Sequence, residues 1–174
     1  EGGRIATRHL VELGHRKIAF LTDYLDTPFH PAMKFRYQGY REILEQTKIP
    51  FNPEYLVEGE RGRISARVMS KKLMMLKNPP TAIFASSDTH AIGVVDAAQE
   101  MDIKVPEELS VIGYDNIRDS AYNDLTTIDQ SLFYSGAQGA QMLLDVLGNR
   151  ITRPCKKYVS LKVIKRNTTA PPKS

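Results

Sequence analysis

The sequence predicts an α/β fold, a parallel sheet flanked by helices on both faces, and three observations carry that expectation. Short apolar runs that read as buried strands alternate with longer amphipathic segments of helical period, the pattern of successive βαβ units. The stretch Pro79-Pro80-Thr81-Ala82-Ile83-Phe84-Ala85-Ser86-Ser87-Asp88 passes from two helix-ending prolines into an apolar strand and then straight into a helical pattern from Thr89 to Met101. Finally, Leu109-Ser110-Val111-Ile112 runs out into Gly113-Tyr114-Asp115-Asn116, so another strand ends on polar residues. In open parallel sheets, ligands sit beyond the carboxyl ends of the strands, where helix N-termini gather. A site is therefore expected on the edge marked by Ser86, Ser87 and Asp88.

From the N-terminus, Ala6, Leu10 and Leu13 recur at helical spacing over Gly2 to Leu13, and Gly14 stands where a left-handed C-cap is expected. Lys17 to Thr22 reads as a strand, followed by a polar, proline-bearing loop from Asp23 to Pro31. Arg36, Tyr40, Ile43 and Leu44 define an amphipathic helix from about Met33 to Gln46, with Arg36 in its first turns near the strand ends. Tyr55 to Gly59 is a short strand. Arg63 to Leu76 is a third helix with Ala66, Met69, Leu73 and Leu76 on one stripe, and Met69, Met74 and Met75 are expected in the core. Asp88 is expected to N-cap the fourth helix. Thr126 to Gln130 is another extended segment, and Ser131 is expected to cap a long helix ending near Leu147 and closed by Gly148-Asn149. Residues 155–166 read as a final strand with one apolar face, and 167–174 as a loose polar tail.

A chain of 174 residues suffices for one well-buried core. The charged fraction of 25% and hydrophobic fraction of 41% are those of an ordinary globular protein, with no apolar run near the ~18 residues a membrane span needs. The net charge of +4 is spread over many segments, with a modest cluster at Lys156, Lys157, Lys162, Lys165 and Arg166, which reads as solvated edges rather than a nucleic-acid surface. The lone Cys155 rules out an internal disulfide, fits a reducing compartment and is expected to be inert. The chain opens at Glu1 already inside a helical pattern, as expected of a fragment of a longer protein.

Enzyme signatures are missing: there is no Gly-x-Ser-x-Gly elbow, no phosphate loop ending in Lys-Ser or Lys-Thr, and no Gly-x-Gly-x-x-Gly after a strand. His9, His15, His30 and His90 fall in separate elements, so neither a metal nor a cofactor is expected, and His9 and His15 read as cap or surface residues. What remains is Arg36, Ser87, Asp88 and Asp115 at strand ends. A guanidinium with carboxylates grips vicinal hydroxyls by charge-assisted hydrogen bonds, which suits a sugar-like ligand. The plainer reading, with Asp88 only an N-cap and Asp115 only a turn residue, stands beside it.

Five stretches in order then resemble the effector-binding region of the LacI/GalR family of bacterial transcriptional regulators. They are Leu10-Val11-Glu12-Leu13-Gly14-His15-Arg16-Lys17-Ile18-Ala19-Phe20, Arg36-Tyr37-Gln38-Gly39-Tyr40, Pro80 to Ala85 with Asp88, Val105 to Asp115, and Leu125-Thr126-Thr127-Ile128. The resemblance implies a periplasmic-binding-protein-like type I fold of two lobes with an effector in the cleft. Residues 1–130 would form the C-terminal lobe, and 131–154 a helix that crosses back to an N-terminal lobe absent from this chain, as is the helix-turn-helix headpiece. It implies that Arg36 and Asp115 contact ligand hydroxyls, and that Ser87 stands where many members have Asn. Arg61 would fall where sugar-binding members often place a stacking aromatic; a cation there suits a sugar phosphate, while a solvated arginine is the alternative. It also assigns the Thr89 to Met101 helix, through Ile92 and Val95, and the loop around Tyr122 to a homodimer interface, with burial in the core as the competing reading. The implied protein is a cytoplasmic, sugar-responsive repressor that meets operator DNA only through the missing headpiece. A transport-type periplasmic sugar-binding protein and a small α/β enzyme are the rival readings.

Overall fold

The computed structural model describes residues 1–27, 31–150 and 156–173, so His30 and Cys155 lie outside the described residues. Helix α1 (Gly2–Glu12) buries Ala6 and Leu10 and stops where the sequence predicts: Gly14 sits at φ 102°, a conformation that favours glycine, and the His15 N–H reaches back to the Leu10 carbonyl at 3.1 Å. Strand β1 (Ile18–Asp23) is buried through Thr22, and α2 (Ala32–Gln46) turns Tyr40, Ile43 and Leu44 inward. A single 3-10 turn, Pro53–Tyr55, is opened by Asn52, whose side chain accepts from the Glu54 N–H, and leads into β2 (Leu56–Gly59). Then come α3 (Arg63–Met74), β3 (Ala82–Ala85), α4 (Asp88–Glu100), β4 (Ser110–Ile112), the short α5 (Arg118–Tyr122), β5 (Thr127–Asp129), α6 (Leu132–Leu147) and β6 (Lys162–Ile164).

Four strands form a parallel sheet in the order β2-β1-β3-β4, with Phe20 opposite both Leu56 and Phe84. Alternation along β1 splits the core between the two faces of the sheet. Ile18 and Phe20 join Leu10, Tyr40 and Phe84 under α1 and α2, while Ala19 and Leu21 join Met69, Leu73, Ile92 and Val94 under α3 and α4. The chain leaves β1 toward β2 and returns to the other side of β1 as β3, so the strand order reverses between β1 and β3. That reversal opens a crevice at their carboxyl ends.

Glycine sets how closely the helices approach. A methyl group on Gly3 would lie 2.1 Å from the Arg36 carbonyl oxygen, so α2 rests directly on the backbone of α1. At Gly93 the same construction meets the Arg63 carbonyl at 2.4 Å, which seats α3 on α4. Ion pairs tie the outer rims of those two helices, from Arg63 to Asp96 and from both Arg67 and Lys71 to Glu100.

Several expectations need correction. The tail is not loose: the Val111 N–H donates to the Thr168 carbonyl at 2.7 Å, the Thr168 hydroxyl donates to the Val111 carbonyl, and the Ala170 N–H donates to Ser110 Oγ. These bonds satisfy the open edge of β4, which the four-stranded sheet leaves unpaired. His9 and His15 are buried rather than on the surface and hold that tail, His9 through Thr169 and His15 through the Ala170 carbonyl at 2.9 Å and Thr81. Burial lowers both imidazole pKa values below the ordinary 6.5.

The final strand is only Lys162–Ile164, antiparallel to β5, because Lys156 to Leu161 find no partner strand among the described residues. Ser131 does not cap α6; its own backbone is left-handed at φ 50° and its N–H donates to Asp129 Oδ1. Met75 lies past the end of α3 and is exposed. Helix α6 buries no residue, leaving Leu132, Phe133, Leu143, Leu144 and Leu147 exposed. No helix among the described residues is long and apolar enough to cross a membrane.

Candidate effector-binding site

At the carboxyl edge of the sheet, α2 delivers Arg36 to the middle of a polar cluster. Its guanidinium lies 3.7 Å from the Tyr114 ring centroid, donates to the Ser86 carbonyl just past β3, and donates to Asp115 Oδ1 at 3.0 Å. Gln130, just past β5, donates to the same Oδ1 at 2.5 Å. Among the described residues no hydrogen bond reaches Asp115 Oδ2, and the side chain is 23% exposed. Burial raises the Asp115 pKa, with Arg36 opposing the shift. The backbone of Asp115 is at φ 116°, a conformation L-residues rarely adopt. The bonds around it hold it there: its N–H donates to the Ile128 carbonyl at 2.9 Å. Arg36, Tyr114, Gln130 and the exposed Phe35 border a shallow cavity of about 190 Å³.

Asp88 has a different place from the one expected. Ser87 is the N-cap of α4, its Oγ accepting from the His90 N–H at 3.3 Å, and Asp88 lies fully buried in the first turn. The Thr127 hydroxyl donates to Asp88 Oδ1 at 2.5 Å and the Ile117 N–H to Oδ2 at 2.9 Å. Burial raises its pKa, and those two bonds oppose the shift. Asp88 thus fastens the Asp115 loop and β5 to α4 and offers no free atom to a ligand. A methyl group on Gly113 would lie 2.3 Å from its Oδ1, so only glycine fits before Tyr114.

Arg61, on the loop after β2, is 71% exposed and 3.7 Å from Asp23 Oδ2 at the end of β1. It faces a separate open groove of about 800 Å³ bordered by Tyr24, Glu58 and Lys72 rather than the cavity at Arg36. The structure therefore joins Arg36 to Asp115 and to the carbonyl of Ser86, the residue before Ser87, while Asp88 turns inward and Arg61 lies against Asp23, which in turn touches His90. Sequence reasoning passed over Gln130, Tyr114, Asp23 and His90. The strand-end rule that selected Asp115 applies equally to Gln130 and Asp23; nothing in the local sequence shows that His90 turns toward Asp23.

Of the expected interface residues, Ile92 is 3% exposed in the α3–α4 core and has no surface to give to a partner. Val95 is partly buried against the same core, and only Tyr122, 72% exposed on α5, stands free. The sheet consumes α4 from one side and α3 from the other, which is why its second apolar stripe is covered within the chain.

A family model described as a periplasmic binding protein-like domain matches residues 7–169. The chain belongs to that family. Its place there is with the effector-binding regions of LacI/GalR-type regulators. At 35% identity over 172 residues it is similar to the HTH-type transcriptional repressor PurR of Yersinia pestis bv. Antiqua (strain Antiqua), a match covering 98% of this chain and 50% of that protein. PurR of Haemophilus influenzae (strain PittEE) is also 35% identical, over 83% of this chain and 43% of its own length. The chain thus spans about half the length of these repressors. Among solved structures, a LacI family regulator from Enterococcus faecium with bound ribose superposes with a TM-score of 0.86 at 30% identity, over 98% of this chain and 62% of that one. A LacI-family sugar-binding regulator from Escherichia coli complexed with phosphate gives 0.87 at 29%, over 98% and 61%.

Proposed function

We propose that the chain is the effector-binding region of a bacterial DNA-binding transcriptional repressor, and that its effector is a neutral polyhydroxylated small molecule. The observation that carries the ligand reading is the Arg36–Asp115 pair at 3.0 Å, with both internal bonds on Oδ1. Oδ2 remains to accept from one hydroxyl of a vicinal pair while the guanidinium edge donates to the other. The charges of both arginines are already opposed by carboxylates, Arg36 by Asp115 and Arg61 by Asp23, which disfavours an anion. The relatives are repressors, and the superposed structures are regulators holding ribose or phosphate, which favours regulation over transport.

In this reading the effector closes a cleft between this lobe and the N-terminal lobe, shifts the relative angle of paired lobes, and so alters the operator affinity of headpieces outside this chain. The protein is a cytoplasmic homodimer and no reaction is catalysed. Tyr122 and the exposed α3 residues Ile64 and Val68 supply apolar contact surface, and Val95, partly buried against the core, adds what it leaves exposed.

A thermal-shift screen of neutral sugars, sugar phosphates and purine bases tests the ligand reading. At a ligand concentration near 100 times Kd, binding stabilises by about 2.7 kcal/mol, which raises the midpoint of a chain this size by about 5–10 °C. The expected hit is a neutral sugar whose shift disappears in Arg36→Ala and persists in Arg61→Ala. A hit confined to sugar phosphates and lost in Arg61→Ala overturns it in favour of an anionic effector.

A further inference from the structure

The crevice between β1 and β3 holds a second polar network that the Arg36 site does not use. Asp23 ends β1, and its Oδ1 lies 2.8 Å from Nε2 of His90 in the first turn of α4; the other ring nitrogen, Nδ1, lies 2.7 Å from Ser87 Oγ. The imidazole is 1% exposed. We propose that Asp23 and His90 are positioning residues that fix Ser87 as a hydrogen-bond acceptor toward the effector, so that the site selects a donor group, a hydroxyl or an N–H, at that point. The proposal rests on the effector-binding reading above and specifies which ligand chemistry that edge admits.

The argument is one of proton placement. The contact between Asp23 and Nε2 is not a straight hydrogen bond, since neither atom has a partner of good angle. A carboxylate oxygen and a bare imidazole lone pair would nonetheless repel at 2.8 Å, so Nε2 carries the proton. The charged groups facing the ring are Asp23 from β1, Arg61 from the β2–α3 loop and Arg36 from α2. Burial is the largest influence and lowers the pKa, with Asp23 opposing it. His90 is therefore neutral near pH 7, and its second nitrogen, Nδ1, is an acceptor. The Ser87 hydroxyl must donate to it, and the Oγ also accepts the α4 capping bond from the His90 N–H. With its only proton committed, the half-buried Ser87 has one lone pair left to accept from a ligand. The neighbouring hydroxyls of Thr22 and Ser86 are fully buried at the same strand ends and have no partner among the described residues, so each keeps its proton free. Ser87 is the hydroxyl of this crevice whose role is set in advance.

Two measurements on the 174-residue chain test this. Long-range ¹H–¹⁵N correlation of the His90 side chain reads the tautomer without any ligand. The expected result is a neutral ring protonated at Nε2, with the preference weakened in Asp23→Ala; a ring protonated at Nδ1, or at both nitrogens near pH 7, overturns the proposal. The second measurement uses D-ribose and inorganic phosphate as probes, one rich in hydroxyl donors and the other chiefly an acceptor. Ser87→Ala is expected to weaken ribose up to about tenfold, the equivalent of one net hydrogen bond, and to leave phosphate no weaker. His90→Phe, which releases the hydroxyl without changing the charge of a neutral site, is expected to strengthen phosphate, a gain that Ser87→Ala cancels in the double variant. Loss of phosphate affinity in Ser87→Ala alone overturns the proposal. If binding is indifferent to Arg36→Ala, the effector-site reading has failed, and the tautomer still decides the state of Ser87.

Discussion

Replacing Thr168 by valine tests whether the C-terminal segment is structural. The side chain is 5% exposed; its hydroxyl donates to the Val111 carbonyl at 2.7 Å and accepts from the Thr126 N–H at 2.9 Å. Valine keeps the shape and removes both bonds. Val111 and Thr126 are fully buried, so water cannot replace the lost partner without opening the segment. A buried N–H left without a partner costs about 1–3 kcal/mol and the weakened carbonyl about 1 more, for a total of about 2–4 kcal/mol. In a domain of this size that lowers the thermal midpoint by about 4–16 °C. Thr168→Ser, which keeps the hydroxyl and deletes one methyl, is expected to cost about 1 kcal/mol. Urea unfolding followed by circular dichroism measures both variants. Thr168→Val within about 0.5 kcal/mol of the parent, or no worse than Thr168→Ser, refutes the argument that residues 167–170 complete the β4 edge.

Gly3→Ala drives a methyl group against the Arg36 carbonyl at 2.1 Å; the expected cost is about 1–3 kcal/mol, together with a reduced ligand-induced thermal shift because Arg36 moves with its backbone. An unchanged midpoint contradicts the close approach of α1 and α2. Acid acts through His9, His15 and His90, all held below the ordinary 6.5 by burial. The unfolded chain binds those protons first, so their contribution is complete above the unfolded value and lost as pH falls through the folded ones. Asp88 and Asp115, raised by burial, act in the opposite sense, contributing below their unfolded values and losing that contribution as pH rises through the folded ones. Urea midpoints are therefore expected to fall between about pH 7.5 and 5.5, where the histidines dominate, and His15→Gln should flatten the slope; a rising midpoint there counts against buried neutral histidines.

The parallel sheet and five of the six helices were legible because their signals are local: apolar runs for β1 and β3, helical stripes for α1 to α4, and a glycine stop at Gly14. Arg36 and Asp115 were legible for the same reason, since a polar residue just past a strand end can be placed by counting. What escaped depends on contacts remote in sequence. Thr168 looks like any polar tail residue until β4 is seen to have an open edge 57 positions earlier. His90 sits on a helix face that reads as apolar, and only the return of β3 beside β1 brings it to Asp23. Asp88 scores as a cap by residue type, yet Ser87 wins the position because Asp88 is committed to Thr127 and Ile117. Ile92 lies on a stripe that suits an interface equally well, and the choice was made by Gly93, which lets α3 settle over α4.

Helix α6 gives the chain two different kinds of stability. The sheet and its four covering helices share buried side chains, so they unfold together as one cooperative unit. A free helix of 16 residues is marginal in water, and nothing among the described residues packs its apolar side chains away. Its helicity thus depends on association in this chain, rising with whatever apolar surface the solution supplies. Far-ultraviolet ellipticity should carry a concentration-dependent component that the near-ultraviolet signal of Tyr40, Tyr37 and Phe20, locked against one another beneath α2, does not share.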